Sequence, residues 1–217
     1  MGRTTERTRD AVEQARALAP AGETLRGAHA AGVAMRAPKP GRFRRPRALH
    51  GERRTLYSWC AAPGYVFLVL TTMNWNPFTA LFEALFDGGS GEKQRPGKPF
   101  HGGWDSLAGQ LVRGLHPRTK NGADTVMQVT DRRLQLVHVS HAGSFRGTPR
   151  RVEAGWSMDV RHIGWIRDRS DVVGGCHEIG FSDGSWCSVQ FQGQGWRKMP
   201  DAFPYRLSHL DPHPYGG

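Results

Sequence analysis

The sequence predicts a β-rich α+β domain. Two hairpin-like stretches carry that expectation, VMQVTDRRLQLVHV (126–139) and HEIGFSDGSWCSVQF (177–191), because apolar residues alternate on either side of a central polar turn. Two further strand-sized runs lie between them. Helical periodicity is confined to the segments before position 116. With 28 Gly and 14 Pro in 217 residues, much of the remainder must be turn or loop.

Taken in order, residues 5–19 read as a helix with Ala11, Val12, Ala15 and Leu18 on one face. The stripe is thin, so this helix must lean on something else. Residues 1–22 form an N-terminal helical unit, and 23–217 a single domain interrupted by a basic and apolar insertion at about 37–122. The first strand falls at about 23–35, anchored by Leu25, Val33 and Met35. Its alternation is poor, because Gly27, His29 and Ala31 share that face.

The tract 37–54, APKPGRFRRPRALHGERR, has three prolines and no apolar period, and reads as an exposed arm. Residues 59–82 then run without a charge, a length that invites a membrane span. The longest apolar run within it is YVFLVL (65–70), and Pro63, Gly64, Asn74, Asn76 and Pro77 interrupt the rest. A helix follows, with Asn76 as N-cap, Pro77 in its first position and Gly88 past its end. Phe78, Leu81, Phe82, Leu85 and Phe86 make its stripe. A second short helix at 106–115 carries Leu107, Leu111 and Leu115, capped by Asp105 or Ser106.

Side-chain parity fixes the hairpin registers. With Asp131-Arg132 as a two-residue turn, Val129 faces Leu134 and Met127 faces Leu136, all on one face. The second hairpin resists a two-residue Asp183-Gly184 turn, which would set Ile179 against Ser188. An odd loop, Asp183-Gly184-Ser185, pairs Ile179 with Val189, Phe181 with Cys187 and His177 with Phe191. Cys176 and Cys187 meet in neither register. Strands at 150–157, with Val152 and Trp156, and 163–169, with Trp165, bring the total to seven, a number that suits a closed or strongly bent sheet.

The succession VTDRRLQLV, GWSMDVRHIGWIRDR and IGFSDGSWCSV resembles bacterial PH-like and GRAM-like domains over about residues 124–192, with a first strand near 23–36. The resemblance implies a PH-like, seven-stranded, partly open barrel closed at one end by a C-terminal helix. Here the helical insertion is extra, and Pro200 and Pro204 argue against a regular α-helix in the C-terminal capping segment.

Charge is unevenly placed. Residues 36–54 balance to +7 and 92–123 to +4, whereas 124–192 balance to zero, out of +11 for the chain. A neutral scaffold with a basic periphery points to electrostatic docking. The candidate anionic-surface residues are Arg42, Arg44, Arg45, Arg47, Arg53 and Arg54, and Phe78, Leu81, Phe82, Leu85 and Phe86 are the candidate apolar docking face. Arg132 and Arg133 sit at the tight turn the resemblance identifies as a fold signature. His138 and His141 form HxxH, but a strand turns i and i+3 to opposite faces, and no metal is expected.

No GxSxG, Walker pattern or paired catalytic carboxylates are legible, so the chain is expected not to be an enzyme and to need no cofactor. Three cysteines without a CxxC pair, and a charged N-terminus without an apolar leader, favour a reducing cytoplasm. Twenty-five Arg against five Lys suggests a GC-rich, bacterial genome. The expected role is a docking module at the inner membrane surface or on a protein partner. The first alternative is a membrane-anchored protein spanning or re-entering at 59–82. The second is nucleic-acid binding through the arm, for which Phe43 is the only interleaved aromatic. A small-molecule substrate is not expected.

Overall fold

The structure is a computed structural model and describes residues 2–34, 38–52, 99–142, 150–193, 195–212 and 214. The span expected at 59–82, the helix with the Phe78–Phe86 stripe, and Arg53 and Arg54 all lie outside the described residues.

Two β-meanders are joined through a central strand. The first meander is β3 (Ala123–Thr130), β4 (Arg133–Ser140) and β5 (Val152–Asp159); the second is β6 (Ile163–Asp168), β7 (Cys176–Phe181) and β8 (Trp186–Gln192). Strand β1 (Leu25–Val33) lies between them, giving the order β5-β4-β3-β1-β8-β7-β6-β9. The two-residue strands β2 (Phe100–His101) and β9 (Arg206–Leu207) add to β8 and β6. Pairing is antiparallel except between β6 and β9. The path runs from β5 to β9 and does not close among the described residues. It is therefore a large open sheet in a sheet-rich α+β fold.

Both faces are covered. Met127, Val129, Leu134, Leu136, Ile179, Phe181, Val189 and Phe191 form one buried cluster with Ala108, Leu111 and Val112 of helix α2 (Leu107–Gly114). Met199 and Ala202 of a 3-10 segment, Trp196–Ala202, and Phe203 just after it close the same face; the segment contains Pro200 and crosses β1. On the opposite face, Ala11, Val12 and Ala15 of helix α1 (Gly2–Arg16) pack on Ala30, Val126, Val137 and Val139. Gln128 ties the end of α1 down by donating to the Ala15 carbonyl at 2.6 Å. Leu18 departs from its expected place on this face: it follows the helix and is 40% exposed.

The poor alternation of β1 has a packing cause. One of its faces must accept an alanine-faced helix and the other a close-crossing segment. A Cβ on Gly27 would stand 3.0 Å from the Ala202 Cβ and 3.2 Å from the Met199 sulfur, so the glycine admits the C-terminal segment.

The first hairpin has the expected register, with Val129 opposite Leu134 and Met127 opposite Leu136. The second has the expected odd loop but is shifted. Ile179 faces Cys187 and His177 faces Val189, rather than Val189 and Phe191. Phe181 N–H donates to the Ser185 carbonyl, so the loop is Ser182-Asp183-Gly184 and Ser185 already belongs to the closing pair. Gly184, at φ +80°, takes the left-handed position that three-residue hairpin loops require. Because the shift preserves parity, the apolar face is unchanged. Cys176 faces Gln190, and both described cysteines are free and buried.

Candidate functional site

The basic arm is a loop tethered at both ends. Pro40 is buried at its start, and Ala48, Leu49 and Glu52 are buried at its end. Pro46 accepts from Arg118 N–H at 2.8 Å, and Ala48 N–H donates to the Arg118 carbonyl at 3.1 Å, forming a short parallel bridge to the chain after α2. His50 N–H donates to Glu153 at 2.9 Å, and the Ser140 hydroxyl donates to Glu52. Leu49 holds φ +58°, a conformation a leucine adopts only when its surroundings impose it. Its burial supplies that constraint.

Between these anchors, a 3-10 turn at Arg42–Arg44 projects outward. Arg42, Phe43, Arg44 and Arg47 are exposed, Phe43 to 96%. Arg44 lies over the Trp104 ring at 5.9 Å, and Trp104 stacks on Phe100 at 5.6 Å. Arg45 is half-buried and donates to the Pro40 carbonyl at 2.8 Å. Among the described residues none of Arg42, Arg44, Arg45 and Arg47 has a carboxylate partner. Their charge is therefore available. His116 registers it: burial depresses the imidazole pKa most, Arg45 and Lys39 depress it further, and its bond to the Val112 carbonyl opposes them.

The arm thus brings together four of the six predicted arginines, while Arg53 and Arg54, with the apolar docking face, fall outside the described residues. An aromatic tip between two arginines is the added feature. Phe43 was visible in the sequence as the sole interleaved aromatic, but its exposure depends on the tethering.

Other polar clusters have structural partners. Arg133 is committed to Glu23, whose other oxygen accepts from Thr130 at 2.7 Å; Arg132 remains exposed. Asp131 orders the turn by accepting from Thr24 N–H at 2.9 Å. The HxxH histidines part company: His138 is buried against the Thr125 hydroxyl at 3.1 Å, whereas His141 pairs with Asp124 at 3.1 Å. Burial drives His138 down to about 4, so its ring is neutral at ordinary pH. Burial raises the Asp124 carboxyl, but His141, Arg150 and Arg7 overcome it and hold the group below its ordinary value. Among the described residues no group of three metal-ligating side chains is found.

Comparison with family models, curated proteins and solved structures gives no match. Among the described residues no helix is long and apolar enough to cross a membrane.

Proposed function

We propose that this chain is a non-enzymatic docking module of PH-like type that attaches peripherally to an anionic membrane surface through the loop 38–47. The PH-like reading is supported by seven main strands in two meanders sharing β1, and by a C-terminal segment laid across that strand. The capping segment departs from the family pattern in being 3-10 rather than α-helical.

One observation carries the docking reading: Phe43 is 96% exposed between two arginines that have no carboxylate partner among the described residues, on a turn anchored on both sides. A surface phenylalanine of that exposure has an unfavourable hydration cost and no partner within the described fold. An interface with anionic headgroups satisfies both elements, taking the ring into the acyl boundary and the guanidiniums onto phosphates. Each arginine contributes about 1 kcal/mol at such a surface. Burying a phenylalanine adds roughly 1.5–3 kcal/mol. Four arginines and one ring then give attachment between the millimolar and micromolar range, roughly 4–8 kcal/mol. That is reversible and salt-dependent.

Sedimentation with vesicles of phosphatidylcholine alone, and mixed with phosphatidylserine, tests it. The protein is expected to pellet only with the anionic vesicles and to be released by salt. Changing Arg42, Arg44, Arg45 and Arg47 to Ala should abolish pelleting. Failure to bind anionic vesicles at low salt would overturn the membrane reading and leave a protein surface as the target of the loop.

A further inference from the structure

We propose that a cleft on the far side of β1, between α1 and the C-terminal 3-10 segment, binds a small amphiphilic anion: a carboxylate or phosphate carrying an apolar chain. The cleft lies where β1 runs on beyond the end of β8. Strand β8 pairs with β1 only from Ala30 to Val33 and ends at Gln192. Ala34 N–H donates to the Ser188 carbonyl, so alternate residues 34, 32, 30 and 28 point their backbone polar groups toward β8. At Ala28 there is no β8 residue opposite, because β8 ends at Gln192. The resulting cavity is about 880 Å³, within the roughly 300–1,000 Å³ typical of small-molecule sites.

Its lining is divided. Val12, Ala28 and Met199 give an apolar floor, and Gly27 adds depth by having no side chain. The rim carries Arg9, Arg16, Arg26 and Lys198 against Glu6 and Glu13. Arg16 is matched by Glu13 at 3.2 Å, but Arg9, Arg26 and Lys198 have no ion-pair partner among the described residues. Beside the floor, His29 lines the cleft, and its Nε2 is buried without a hydrogen-bond partner among the described residues. Burial, reinforced by Arg16, keeps this imidazole below its ordinary pKa. His29 therefore marks the cleft by proximity, and the arginines and lysine supply the charge recognition.

Titration calorimetry of the full chain with octanoate, octyl phosphate and octanol tests the assignment, with the histidine ring resonances followed by NMR. At least one anion is expected to bind one-to-one and shift His29, and octanol to bind at least about tenfold more weakly. The stronger of octanoate and octyl phosphate identifies the head group. Changing Arg26 and Lys198 to Gln should weaken the anion by about tenfold or more while leaving the unfolding midpoint unchanged. Changing Arg42 and Arg44 to Gln should leave it bound, separating this cleft from the docking loop. No saturable binding of either anion, equal affinity for octanol, or an unmoved His29 would overturn the proposal.

Discussion

Asp183 sits in the middle of a hairpin loop, yet its carboxylate serves a helix distant in sequence. One oxygen accepts from Leu107 N–H at 2.8 Å, the other from the Ser185 amide and hydroxyl at 3.0 and 2.6 Å, and the Ser185 hydroxyl accepts from Ala108 N–H at 3.0 Å. Ser106 completes the N-terminus of α2 by accepting from Gly109 N–H. Three orphan amides of the first turn are thus satisfied, two of them from another element. Asp183→Ala should lower unfolding free energy by about 1–2 kcal/mol, measured by urea denaturation. Burial raises this carboxyl, but the hydroxyl and amide donors outweigh it and set its pKa below the unfolded value. Its stabilisation is therefore complete above the unfolded carboxyl pKa and disappears as pH falls through the folded one; the variant should lose that part of the acid dependence. His116 offers a second residue-scale check. Salt should raise its NMR-measured pKa by screening Arg45 and Lys39, leaving the burial contribution in place.

At the scale of elements, local chemistry and tertiary demand separate what could be read from what could not. The turn of the first hairpin is held by Thr130, whose hydroxyl accepts from Arg133 N–H at 2.9 Å, so its register followed from the local sequence. The second loop was displaced because Asp183 and Ser185 are recruited to cap α2, a contact no nearby residue announces. Side-chain parity is the same in both registers, and so is the buried face. Helix α2 and its Ser106 cap were legible from leucine spacing and cap chemistry. Strand β1 was blurred by its small residues, which become intelligible only between two packed neighbours. Gly27→Val should force Ala202 and Met199 away, costing about 1–3 kcal/mol and exposing the C-terminal segment to proteolysis. Unchanged stability and protease resistance would mean that the crossing is not tight.

For the whole molecule, the neutral β scaffold and basic periphery were plain from the charge distribution, and the four described arm arginines lie where that distribution suggested. The cleft was not legible, because α1, β1, Gln192, Gly193 and Met199 are far apart in sequence and come together only in the fold. The division of labour that emerges places rigid packing in the two meanders and recognition on what surrounds them. Phe43 and its flanking arginines are proposed to act together at an anionic surface, through contributions that respond differently to salt. Vesicle partitioning of wild type, Phe43→Ala and the four-arginine variant across a salt series separates those contributions most directly. Phe43→Ala should bind about tenfold or more weakly with the salt slope retained, and the arginine variant should show no measurable partitioning at any salt. Wild-type affinity in Phe43→Ala, or wild-type binding that ignores salt, would contradict the account.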